Sequence, residues 1–168
     1  MNSIGWSFYY SPLKYTNYDI EVELASTNGD NDYIGLVAAV SEDSSGKQHV
    51  LSFIRVGGTN DKNNTYTWMA VVDAYAWPGS DDSHIAAKAT VSDDSTANTR
   101  NWRDGGKTKV KISRRGNSLS AWTTPFYTNA ATSYDSGSRI VLNLASVNNL
   151  TCFSTAAGGG SVGFTTNS

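Results

Sequence analysis

The chain of 168 residues predicts an all-β fold, a sandwich of two antiparallel sheets, on three observations. Residues 18–24 (YDIEVEL) alternate strictly, with Tyr18, Ile20, Val22 and Leu24 on one face and Asp19, Glu21 and Glu23 on the other. That is the period-2 signature of a strand with one dry and one wet side. Turn chemistry recurs at short intervals along the whole length, supplied by 15 Gly and by abundant Ser, Thr and Asn. Such punctuation suits many short strands rather than βαβ units. Charged residues make up only 17%, and no long stretch carries the 3.6-residue apolar spacing of an amphipathic helix. A chain of this length forms one domain and buries most of its apolar surface without covalent staples.

The elements follow in order. After the alternating strand, the acidic turn Asn28-Gly29-Asp30-Asn31-Asp32 reverses the chain. Residues 33–40 are apolar on both faces, which predicts a central strand covered on each side. Residues 42–46 read as a turn, and 47–56 as a strand with Val50 and Phe53 among its core residues. A polar loop over 57–64 leads to the β-prone run 65–75, which Trp77-Pro78-Gly79-Ser80-Asp81-Asp82 breaks before a further strand at 83–91. Residues 92–106 are mostly polar, with Trp102 embedded in Asn101-Trp102-Arg103-Asp104. Lys107, Lys109 and Lys111 alternate with Thr108, Val110 and Ile112, the pattern of an edge or outer strand with a wet, charged face; an anion-binding patch is the alternative. Gly116-Asn117 supplies the positive φ of a tight hairpin between strands 107–113 and 119–123. An irregular stretch over 125–138, a strand at 139–144 and a closing strand at 162–166 complete the chain, roughly nine to ten strands in all. Trp68 and Trp122 alternate with polar neighbours inside strands and are expected to anchor the core.

A formal charge of −2 argues against a nucleic-acid binder, which presents a basic field. Cys152 is the one cysteine, so no intrachain disulfide forms, and its apolar setting in Leu150-Thr151-Cys152-Phe153 predicts a small buried hydrophobe. The Met1 start shows neither a charged n-region nor an apolar h-region, so no signal peptide is expected. No apolar run nears the ~18 residues that span a bilayer, so no membrane insertion is expected.

Several local patterns also line up in one order: YDIEVEL, the acidic turn, DYIGLVAAV, the hairpin KVKISRRGNSLSAWTTPF and the closing GSVGFTTNS. Together they resemble the concanavalin A-like lectin/glucanase superfamily, in the branch of laminin-G-like and thrombospondin C-terminal-like domains. The opening Tyr15-Thr16-Asn17-Tyr18-Asp19 is similar to such domains in phage tail and bacterial surface proteins. The resemblance spans nearly the whole chain and implies a single jelly-roll domain over residues 1–168. That fold hosts enzymes, lectins and structural modules alike, so function has to be argued from the site.

Three constellations are candidates. Asp30 and Asp32, with Asn28 or Asn31 and backbone carbonyls, offer the hard oxygen ligands of calcium, which many members of the superfamily hold in such a loop; a plain polar turn is the alternative. Trp77, Trp102, Tyr127 and Tyr134 stand in or beside polar stretches, and Arg103 and Asp104 adjoin Trp102. Sugars stack their C–H faces on indole or phenol rings while charged and amide groups bind the hydroxyls, so this set is the expected ligand-binding site. Signs of catalysis are poor: the glucanase-type Glu-x-Asp-x-x-Glu strand is missing, as is a Gly-x-Ser-x-Gly elbow, and His49 and His84 lack catalytic company. The expectation is therefore a non-catalytic module that binds cell-surface glycan, as the receptor-binding part of a phage tail fibre or tail tip, located on the virion or at a cell surface. Multivalent display, in a homotrimer if it belongs to a fibre, would supply avidity. The alternative is a structural assembly domain.

Overall fold

The computed structural model describes residues 6–25, 33–56, 66–73, 85–92, 105–128, 133–134, 139–146, 151–155 and 159–167. Ten strands make up these residues: β1 (Trp6–Tyr10), β2 (Asn17–Ala25), β3 (Tyr33–Glu42), β4 (Gln48–Val56), β5 (Tyr66–Asp73), β6 (Ile85–Ser92), β7 (Lys107–Arg115), β8 (Ser118–Thr123), β9 (Ile140–Asn143) and β10 (Gly163–Asn167). A 3₁₀ turn spans Thr151–Phe153. The strands form two antiparallel sheets, six-stranded in the order β1-β10-β3-β4-β5-β6 and four-stranded in the order β2-β7-β8-β9. One sheet is curled as a half-barrel, and the whole is an all-β sandwich.

The small sheet follows directly from its sequence. The inward side chains of β2 pair in register with those of β7, Ile20 against Ile112 and Val22 against Val110, and Leu119 and Ala121 of β8 continue the layer. These meet Leu36, Leu51, Phe53 and Val71 of the large sheet in one core. Each such side chain, fully buried, contributes on the order of 1.5–3 kcal/mol. The β7–β8 hairpin turns on Gly116 and Asn117, and Gly116 adopts φ 59°, a left-handed conformation that favours glycine.

Strands β3 and β4 are buried on both faces, which the sequence predicts for β3 alone. Leu36, Leu51 and Phe53 face the small sheet, while Val37, Val40 and Val50 form a second cluster with Phe8 on the opposite side. Here the β3–β4 register slips by one residue between Val37 and Ala39, leaving Ala38 as the extra residue of a bulge. Bulges bend a strand and leave one residue outside the ladder. Gly35 sits beside this region because a Cβ there would overlap the Phe53 carbonyl of β4.

Two sequence readings are corrected. The opening aromatics form strand β1, paired with β10, where no strand was expected. Trp122 is not a core anchor: it alternates with Ala121 and Thr123, which are fully buried, and so points out of the small sheet. The lysine-bearing β7 lies inside its sheet, between β2 and β8, and only its outer face is wet. The side chain of Trp68 lies outside the described residues.

Candidate functional site: the outer face of the small sheet

Because side chains alternate, the register of four strands writes out the outer face as rows. One row runs Glu21, Lys111, Trp122, and Arg139 stands next in line, since the following residue Ile140 pairs with Ala121. The next row runs Asp19, Ser113, Ser120, Val141. Trp122, half-buried, is flanked on both sides by cations: the Lys111 ammonium lies 5.9 Å and the Arg139 guanidinium 4.9 Å from its ring centroid. Both distances fall within the range of cation–π attraction, worth about 0.5–1 kcal/mol where water has access. Arg139 also donates from Nη2 to Ser120 Oγ at 3.1 Å, which fixes the guanidinium over the sheet. Val141, 58% exposed, is an outward apolar contact beside them.

The acids of β2 behave differently from one another. Arg115 donates to the Asp19 carboxylate, and that bond, followed by one from Ser113, holds Asp19 below its ordinary pKa. Glu23 accepts from the Tyr127 hydroxyl at 2.6 Å and lies 3.5 Å from the Lys107 ammonium. The tyrosine bond is the main reason its carboxyl is held low. Tyr127 reaches this position because its backbone bridges Lys107 with two 2.9 Å hydrogen bonds, extending the β7 pairing past the end of β8. Among the described residues, Lys109, Lys111 and Arg139 make no ion pair.

Of the residues expected to bind ligand, Tyr127 and Tyr134 are described. Tyr127 is 6% exposed, and its ring acts as a strut under Glu23 rather than a stacking platform. Burial first, then Glu23, raises its pKa, so the phenol stays a neutral donor. Tyr134 is half-buried; burial and the Glu21 carboxylate raise its pKa likewise. Tyr127 therefore serves this sheet face through Glu23, while the buried Tyr134 hydroxyl, near Glu21, makes no hydrogen bond among the described residues. Trp77, Trp102, Arg103, Asp104, Asp30 and Asp32 lie outside the described residues, as do His84 and the side chain of Asp73. Among the described residues no three His, Cys, Asp or Glu side chains gather as a metal group. The sequence names Lys111 only within an alternative anion-binding patch, and it gives no place in a site to Trp122, which it puts in the core, or to Arg139. The alternation Leu119, Ala121, Thr123 was the signal that the indole faces out.

Two other places were candidates. A hollow of about 330 Å³ is lined by Tyr10, Lys14, Glu42, Gln48 and Ser161, with one cation and one acid and no paired carboxylates among these. His49 is buried, with Nε2 3.1 Å from Asp43 Oδ2. Ser45 donates its hydroxyl to the same Asp43, at 2.6 Å, so the serine bonds the acid rather than the imidazole. A nucleophilic serine needs the base itself, and Asp43 is instead the hub of the β3–β4 turn.

Comparison with protein-family models, with characterised proteins and with solved structures gave no match.

Proposed function

We propose that this chain is a non-catalytic carbohydrate-recognition module whose binding surface is the outer face of the small sheet. The observation that carries this reading is the Lys111–Trp122–Arg139 row. An outward indole on an interior strand, between two cations, one of them held by Ser120, and beside Val141, offers ring stacking and hydroxyl recognition on one rigid platform. Four strands spaced by ~4.8 Å make that platform roughly 14 Å wide, the scale of a short oligosaccharide rather than of a single atom or group. The described acids on this face support binding over hydrolysis. Asp19 and Glu23 are held below their ordinary pKa values, the opposite of the shift a glycosidic acid catalyst requires.

The test is a glycan array, with binding to whole cells as its counterpart for the host-attachment role that the sequence resemblance implies. Wild-type protein is compared with Trp122→Ala, Trp77→Ala and Trp102→Ala. The reading expects loss of binding in Trp122→Ala. Unchanged binding there, with loss in Trp77→Ala or Trp102→Ala, moves the site to the segment of that tryptophan; silence of the wild type on every glycan rejects recognition.

A second reading, structural assembly, is favoured by a different observation. Strand β1 is an edge of the large sheet, and its Tyr9, 72% exposed, stands opposite the exposed Phe164 of β10. Exposed aromatics on an edge strand invite a further strand. Concentration-dependent self-association that Tyr9→Lys abolishes, without glycan binding, supports this reading over the first.

A further inference from the structure

Resting on the recognition reading, we infer that the ligand is an anionic glycan, a chain of pyranose rings carrying carboxylate or sulfate groups. Among the described residues, the outer face of the small sheet presents five cations, Lys107, Lys109, Lys111, Arg115 and Arg139, against the three acids of β2. The chain as a whole is net −2, so this excess is local and is not the overflow of a basic protein. Its distribution is uneven. Arg115 is taken up by Asp19 and Lys107 by Glu23, both at the β2 side of the face. The cations with no ion pair among the described residues are Lys109, Lys111 and Arg139, two of which bracket the indole.

That placement has a geometric consequence. Lys111 and Arg139 stand two strand spacings apart, roughly 10 Å between backbones, with Trp122 midway. A ring stacked on the indole would hold acid groups of its own or of adjoining rings within reach of both cations. The two cations divide the work: lysine acts as a point charge, whereas the planar guanidinium of Arg139, already oriented by Ser120, matches the fork of a carboxylate or sulfate. A neutral sugar would gain the stacking and hydroxyl hydrogen bonds but leave this positive charge uncompensated.

Single-stranded nucleic acid shares the negative charge and also stacks on aromatic rings. It needs successive stacking platforms along a continuous basic track, and the described face offers one outward indole. The glycan is favoured on that ground.

The test measures binding of the whole chain to polygalacturonate and to its carboxyl-reduced form, and to dextran sulfate and dextran, with polyglutamate and a single-stranded oligonucleotide as controls. The expected result is at least about tenfold tighter binding to one acidic polymer than to its neutral counterpart, weakened by salt. Trp122→Ala and the double variant Lys111→Gln/Arg139→Gln should each remove it, while Arg139→Lys, which keeps the charge and loses the fork, should weaken it only partway; a cooperative melt in each variant certifies the fold. The preferred pair tells carboxylate from sulfate. Equal binding of acidic and neutral polymers, with loss only in Trp122→Ala, overturns the anionic inference and leaves the recognition reading standing. Equal or tighter binding of polyglutamate or the oligonucleotide overturns it as well. Silence toward all the glycans removes both.

Discussion

The Tyr18 hydroxyl donates a 2.5 Å hydrogen bond to the carbonyl oxygen of Ala38, joining the small sheet to the large one across the core. Ala38 is the extra residue of the β3–β4 bulge, so the bond lands where the ladder between those strands is interrupted. Burial raises the phenol's pKa, with the Arg114 guanidinium opposing that shift, and the group stays a neutral donor.

Tyr18→Phe removes one hydroxyl and leaves the buried Ala38 carbonyl without this donor. The expected cost is about 1–2 kcal/mol. Urea denaturation should show a lower midpoint with an unchanged slope, since the surface exposed on unfolding is the same. A midpoint equal to wild type would mean that the bond contributes nothing.

Asp43 organises the β3–β4 turn. Its Oδ1 accepts from the Ser45 amide at 2.8 Å, the Ser45 hydroxyl at 2.6 Å and the Lys47 amide at 3.0 Å, while Oδ2 faces His49. The Ser45 hydroxyl is the main cause, with His49 next, of a pKa held well below the carboxylate range. A carboxylate whose folded pKa is depressed adds stability above its unfolded pKa of about 4 and loses that stability as pH falls toward the folded value. Thermal melts between neutral pH and strong acid should therefore show wild type losing its advantage over Asp43→Asn below about pH 4. Parallel melting curves for the two proteins across that range would contradict the turn's dependence on the charge.

Glu23 is held low chiefly by one donor, the Tyr127 hydroxyl. Tyr127→Phe should move the Glu23 titration upward toward the ordinary glutamate value, read from its side-chain carboxyl resonance. An unmoved Glu23 would assign its acidity to Lys107 instead.

Trp122→Ala separates the two places an indole could occupy. A core tryptophan cut to alanine costs ~3–5 kcal/mol, whereas a half-buried outer-face residue that loses cross-strand and cation contacts costs about 1 kcal/mol or less. The smaller value is expected from its position between Lys111 and Arg139. Calorimetric melting decides it, and a core-sized loss would return the indole to the interior.

Much of the fold was legible because alternation states which residues share a face. YDIEVEL gives the inward Tyr18, Ile20, Val22 and Leu24 without ambiguity, and the apolar run in β3 announces a strand buried on both sides. Cys152 was likewise readable as a buried hydrophobe. Alternation does not say which face wins when each carries something apolar. In Leu119-Ser120-Ala121-Trp122-Thr123 the weight of the indole suggested the core, yet Leu119 and Ala121 take the interior and the cations of neighbouring strands hold the ring outside. Strand β1 escaped because Trp-Ser-Phe-Tyr-Tyr shows no polar alternation, and its pairing with β10 joins residues at opposite ends of the sequence. The proposed binding face was hidden for the same reason. Lys111, Trp122 and Arg139 become neighbours only through a register that no local pattern encodes.

The pairing of β1 with β10 sets how the molecule answers a pull. Trp6 lies opposite Asn167 and Tyr10 opposite Gly163, so tension applied through residues 6 and 167 meets the outermost rung first. Load then falls on one pair of bonds at a time, as in opening a zip, instead of being shared along the ladder as in shear. Displayed on a tethered surface, such a domain would yield gradually from its edge while the Tyr18 strut and the four-stranded sheet, which lie outside that load line, keep their shape.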